Sequence, residues 1–366
     1  MTATETAVVT APPTPEPVRE PTQLRRFSGS PRLRYAAIVL AGYVIALVLF
    51  GFIAWLKDAE PFSMFRTMID TTLLNSSSLQ QTVLRAVPIA LAALAVTIPA
   101  RAGLVNVGGE GQLIIGAVVA TGVGVAIGDD VPGIVSWTAM CLGGALGGAI
   151  WAGLSALMRT VLGANEAVTT LLLNFIATDV MLYLLYEPWK DPDGSGQPQS
   201  RPLPKDAILP KLFGSDINLG VFIALAAVGL VWFLLTKTTW GFALRVVGGN
   251  SEAARRSGMN VNRLLLSSMF VGGAIAGLGG ALNFAGVDAQ LHPSATLTYG
   301  YVAFLASFLG RHKPLQVFGA AVLFSAIALS GNGLQINDNL DGAIVDILLA
   351  LIVAVPLVLV KFRRRA

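Results

Sequence analysis

Four carboxylates fall within or at the ends of otherwise apolar stretches: Glu110, Glu166, Asp179 and Asp346. An ionised side chain at membrane depth is costly, so each marks an ion pair, an ion path or a solute contact. Glu166 opens a stripe with Thr170, Asn174 and Thr178 at intervals of four, which puts them on one face of a helix. That face must meet protein or water. It is either hydrogen-bonding glue between helices or the wall of a pathway. Asn106, Glu110 and Gln112 sit in the run GLVNVGGEGQ. Its Gly108, Gly109 and Gly111 predict a broken helix start, which a bilayer tolerates only inside protein or beside a water-filled cavity. Arg85 and Arg101 could neutralise a carboxylate in a structural role, and Asp346, near an outer edge, could be solvated.

Catalytic constellations are missing from the sequence. It contains no G-x-x-x-x-G-K-[ST], H-E-x-x-H, G-x-S-x-G or paired-Cys motif, so it is not read as an enzyme and binds no ATP as a P-loop does. A single Cys, Cys141, excludes an internal disulfide. His292 and His312 lack ligand spacing, and no metal is expected.

The positioning elements follow from composition. The 366 residues are 54% hydrophobic and only 13% charged, with mean hydropathy +0.69. A soluble domain carries about a quarter charged residues. Apolar runs near twenty residues recur, so the chain is an all-α polytopic membrane protein. Ten spans are expected: 35–56, 82–100, 103–127, 133–158, 166–186, 219–236, 264–287, 299–309, 315–331 and 342–360. Pro88 and Pro99 fall within or at the ends of the second, and Asn332 to Asp341 form an acidic outer turn after the ninth. Gly143, Gly144, Gly147, Gly148 and Ala152 in the fourth, and Gly272, Gly273, Gly277 and Gly280 in the seventh, let helices approach closely.

Short basic turns at Arg101, Arg159, Lys237 to Arg263 and Arg311 to Lys313 all fall on one side of that arrangement, and basic excess puts them inside. Both termini then lie in the cytoplasm. Residues 1–34, Pro- and Thr-rich, read as a disordered cytoplasmic tail, 35–360 as the membrane domain and 361–366 as a basic cytoplasmic tail. The segment 187–217, with six prolines and no positive excess, reads as an irregular external loop, either a connector or a docking site for an external protein. The net charge of +4 comes mostly from cytoplasmic edges and gives no reason to expect nucleic acid as a partner.

The cytoplasmic stretch 237–263 carries five basic residues, Lys237, Arg245, Arg255, Arg256 and Arg263, against Glu252 alone. Its middle predicts a short helix. Asn250 or Ser251 caps the start, Glu252 occupies the first turn, Arg255 and Arg256 the end, and Gly258 the left-handed position beyond. A capped helix just outside the membrane is a handle for a soluble partner, or simply an interfacial helix.

The run GFALRVVGGNSEAARRSGMNV resembles the coupling loop of permease subunits in ATP-binding-cassette importers, in the class serving ribose, branched-chain amino acids and nucleosides. The segments RAGLVNVGGEGQL and NEAVTTLLLNFIA resemble those of its nucleoside and simple-sugar permeases. The likeness spans roughly residues 35–360. It implies two related halves after the first helix and a cytoplasmic ATPase gripping Arg245, Gly248, Asn250, Glu252, Ala253, Ala254, Arg255, Arg256 and Gly258. It further implies a second permease subunit, identical or not, an extracytoplasmic substrate-binding lipoprotein or protein, ATP held on the ATPase rather than on this chain, and a place in the bacterial plasma membrane. Asn106, Glu110, Gln112, Glu166, Thr170, Asn174 and Asn283 are the expected pathway residues for a nucleoside or related sugar-type solute. Ribose, other simple sugars or branched-chain amino acids are the alternatives, followed by ion-coupled secondary transport through the membrane carboxylates.

Overall fold

Apolar length dictates most of the architecture. The computed structural model describes residues 31–127, 131–192, 194, 196–212, 214–294, 298–338 and 340–363. Thirteen α-helices occur among them: α1 Pro31–Trp55, α2 Pro61–Ile69, α3 Ser76–Ala100, α4 Gly109–Ile127, α5 Gly133–Leu162, α6 Glu166–Tyr186, α7 Leu219–Lys237, α8 Thr239–Gly249, α9 Ser251–Arg256, α10 Val261–Asn283, α11 Tyr299–Leu309, α12 Pro314–Asn337 and α13 Ile344–Arg363. Single π turns, Asp70–Leu74 and Phe284–Asp288, follow α2 and α10. No strand ladder is present among the described residues, only two isolated bridges within the 187–218 segment.

Nine of these helices are long and apolar enough to cross a membrane. The eighth expected span, α11, has 11 residues. At 1.5 Å rise per residue it reaches about 16 Å, roughly half of a hydrocarbon core. It is a half-membrane helix rather than a span.

α3 is the central post, with 78% of its apolar window buried, and it packs against α10, α11, α12 and α7. α5 and α10 meet backbone to backbone. A methyl group on Gly148 would collide with Gly273 and Gly277, and one on Gly277 with Gly144. The glycine stripes therefore serve close approach, the main packing device where lipid removes the hydrophobic drive.

Several boundaries differ from expectation. Residues 31–34 belong to α1 rather than to the tail, while 1–30 and 364–366 lie outside the described residues. α4 begins at Gly109, after a non-helical approach over 104–108. α12 runs on to Asn337 instead of turning at Asn332, because Gly331, Gly333 and Leu334 are buried there. The stretch 237–263 is more helical than a loop, since α8 precedes the short helix α9. α2 had no counterpart among the expected elements. It is amphipathic, with Met64 and Met68 buried and Arg66 paired to Asp70 on the exposed side.

Candidate functional site

At the basic end, the sequence signals for a capped helix are realised in α9. The Asn250 side chain accepts the amide of Ala253 at 2.9 Å. Glu252 pairs with Arg256 at 3.1 Å on the exposed face, and Arg255 is also exposed. Gly258 takes φ +83°, the left-handed closure. Of the alanine pair, Ala253 faces out and Ala254 is fully buried against Val247 and Val261. α9 is thereby fastened to α8 and to the start of α10.

The fastening continues into the membrane domain. Gly248 packs so tightly on the turn after α3 that a side chain there would strike the Arg101 carbonyl. Arg245 donates to the Leu235 carbonyl at the end of α7. Arg101 reaches the other way and donates to the His312 carbonyl at 2.7 Å. The His312 ring meets Ser307 Oγ at 2.9 Å, and Ser307 meets Thr97 Oγ1 at 2.8 Å. Burial first, then the neighbouring Arg101 charge, holds the His312 pKa below its ordinary value. Between α9 and the 102–104 turn lies a polar groove of about 700 Å³, bordered by Gly103, Arg159, Gly248, Asn250 and Arg255.

Inside the membrane domain, five of the seven expected pathway residues form one web. Asn106 Oδ1 accepts the Gly108 amide at 2.9 Å and the Gln112 amide at 3.0 Å, and its nitrogen donates to the Ala95 carbonyl. Asn174 Oδ1 accepts the Gly111 amide at 2.8 Å, and its nitrogen donates to the Val107 carbonyl. Thr170 accepts the Val107 amide at 3.1 Å. Glu166 accepts the Val105 amide and pairs with Arg159 at 2.8 Å. The buried stripe of α6 thus satisfies the backbone of the non-helical approach to α4, as orphaned amides inside a membrane require. Glu110 reaches another helix: its oxygens accept the amides of Thr298 at 2.9 Å and Gly300 at 2.6 Å.

Asn283 stands apart from this web. It donates to Asp288 at 2.7 Å across the π turn that ends α10, while Arg85 donates to the Tyr299 hydroxyl nearby. All seven residues are buried, the most accessible being Glu166 at 8%. Their polar atoms are engaged with backbone and with one another, so in this conformation they act as glue.

The carboxylate on an open face is a different one. Asp179, on the side of α6 opposite the stripe, is exposed between Phe175 and Tyr183. Its sequence signal was its phase: it lies off the Glu166–Thr170–Asn174 register. Among the described residues no group of three or more His, Cys, Asp or Glu side chains gathers as for a metal.

Residues 78–355 match the family described as branched-chain amino acid transport system / permease component. The chain is 33% identical over 336 residues to a glucose ABC transporter permease protein of Haloferax volcanii, covering 89% of this chain and 86% of that one. It is 29% identical to a guanosine ABC transporter permease protein of Bacillus subtilis, covering 75% and 79%. It is 26% identical to a nucleoside ABC transporter permease protein of Lactococcus lactis, covering 88% and 90%. These matches define a polytopic membrane permease, a transport component rather than an enzyme. The chain belongs to the branched-chain amino acid transport system / permease component family, and is a multi-pass plasma-membrane protein working within an ABC system.

Proposed function

We propose that the chain forms the translocation pathway of an ATP-driven importer for a nucleoside or a related sugar-type solute. Two permease subunits, identical or not, frame that pathway. Cytoplasmic ATPases hold the ATP and grip the surface around α9, and an extracytoplasmic binding protein or lipoprotein delivers solute. Both termini lie in the cytoplasm. The relatives' glucose, guanosine and nucleoside solutes support the solute class.

The observation that carries the coupling mechanism is the chain of contacts from α9 to α11. A push on α9 passes through Gly248 to the 101–103 turn, because their backbones touch. Arg101 passes it to His312 at the inner end of α11. α11 is short, and Glu110 pins its other end to α4. A half-membrane helix held at both ends transmits displacement as a rigid lever. The buried web keeps α4 and α6 moving as one body, and the pathway widens where that body separates from a neighbour. Asn106, Gln112 and Asn174 become solute contacts only if the web opens during turnover, and Asn283 only if its bond to Asp288 is released.

The test is uptake of labelled nucleosides, glucose, ribose and leucine by proteoliposomes containing the chain with its ATPase and binding protein. ATP-dependent uptake of nucleoside or sugar, indifferent to an ionophore, is expected. Uptake by the chain alone, abolished by the ionophore, would establish secondary transport instead.

A further inference from the structure

α6 has two faces of opposite character. Glu166, Thr170, Asn174, Ala177, Met181 and Leu185 are buried. The opposite face, Leu172, Phe175, Asp179, Tyr183 and Tyr186, is exposed, and only 28% of the helix's apolar window is covered. α1 is as bare, but its window Ala37–Trp55 carries no charge, as befits a lipid-facing helix. α6 differs by placing Asp179 at the centre of its open face. Asp179 makes no ion pair or hydrogen bond among the described residues. A solitary carboxylate facing acyl chains is strongly disfavoured, and such residues face water-filled cavities. Phe175 and Tyr183 lie four residues to either side, one turn up and one turn down, with side chains 59% and 65% exposed.

We propose that the Phe175–Asp179–Tyr183 face of α6 is the solute-contact wall of the pathway, taking a polyhydroxylated ring such as a sugar or the ribose of a nucleoside. This deepens the importer reading and rests on it. The carboxylate accepts hydrogen bonds from hydroxyl or ring N–H donors, a charge-assisted contact stronger than a neutral one. The aromatic rings offer flat apolar surface to the C–H face of a sugar or to a base. The buried stripe behind them fixes the rotation of the helix, so Asp179 is held towards the pathway.

The test uses the complete transporter with the sole cysteine, Cys141, replaced by alanine. Single cysteines replace Phe175, Asp179 and Tyr183, and Val48 on the exposed side of α1 serves as control. A membrane-impermeant thiol reagent is expected to modify the three α6 positions much faster than position 48, and transported solute is expected to slow that reaction. D179N is expected to raise KM for the transported solute about tenfold, the cost of a lost charge-assisted contact. Reactivity no greater than at position 48 would make the face lipid-exposed and overturn the site. Unprotected cysteines that cross-link to a second permease subunit would make it a subunit interface and also overturn it. With uptake by the unsubstituted complex intact, either result removes the site alone. Absence of ATP-dependent uptake by the unsubstituted complex removes the importer reading and the site together.

Discussion

Glu110 accepts the backbone amide of Gly300 at 2.6 Å, across 190 residues of sequence. α11 starts at Tyr299, and its own N-cap, Thr298, sits at φ +77° with no capping side-chain bond. A helix beginning inside a membrane leaves amides that nothing local satisfies. The carboxyl group of α4 supplies the acceptors that the start of α11 requires. Replacing it by alanine is expected to cost about 1–3 kcal/mol through the unsatisfied amides, and by glutamine less. Thermal unfolding in detergent reads the order wild type, E110Q, E110A. Equal midpoints would mean that the cap carries no weight.

The exposed arginines of α9 give a sharper separation between folding and function. Arg255 and Arg256 are exposed, and Arg256 contacts only the exposed Glu252 among the charged side chains described. Surface pairs of this kind contribute about 0–1 kcal/mol. Arg255→Glu with Arg256→Glu is therefore expected to leave the spans folded while uncoupling solute-stimulated ATPase activity from uptake. Unchanged stimulated ATPase in the reconstituted complex would show that the partner does not grip this face.

Glycine spacing is the feature of the packing most directly legible in the chain. Runs of Gly at four-residue intervals announced close helix contact, and α5 and α10 do touch through Gly148 and Gly277. Gly148→Leu would force these backbones apart. Overpacking of this sort typically costs about 1–3 kcal/mol, and here it falls on the central α3–α5–α10 assembly. A lowered unfolding midpoint and reduced membrane yield are expected, whereas the same substitution at Gly229, with open space around it, should be tolerated.

The limits of sequence reading are equally specific. α6 and α11 are bounded as their apolar runs and flanking polar residues suggest. The cap of α9 is local chemistry, and Asn250 fills it. α2 escaped notice because nine amphipathic residues fall well short of a span. The side to which a polar stripe turns is set by whatever packs against it. The partner of Thr170 and Asn174 is the backbone of 107–111, some sixty residues away, so a spacing of four found the face without revealing that it is sealed. Asp179 was visible as a membrane carboxylate. Its exposure became apparent only once the buried face of α6 was fixed.

The His312 contact gives a pH dependence whose sign follows from its burial. The ring is neutral in the folded protein because burial and Arg101 both disfavour the cation. The folded pKa lies below the unfolded value of about 6.5. The unfolded chain then binds the extra proton first as pH falls. This contribution is complete above the unfolded pKa and is lost as pH drops through 6.5 towards the lower folded value. Protonation makes Nδ1 a donor towards Ser307, so the charge state of the ring sets the donor–acceptor order of the link between α11 and Thr97 on α3. Unfolding midpoints measured from pH 8 to pH 5 should fall for the wild type, and H312Q should flatten the part of that fall that sets in near 6.5 and continues below it. An H312Q curve parallel to the wild type throughout would assign the acid sensitivity to other groups. The α9-to-α11 link runs from the Arg101 guanidinium to the His312 carbonyl, so Arg101→Ala should weaken coupling at neutral pH, and coupling equal to that of the wild type would sink the lever.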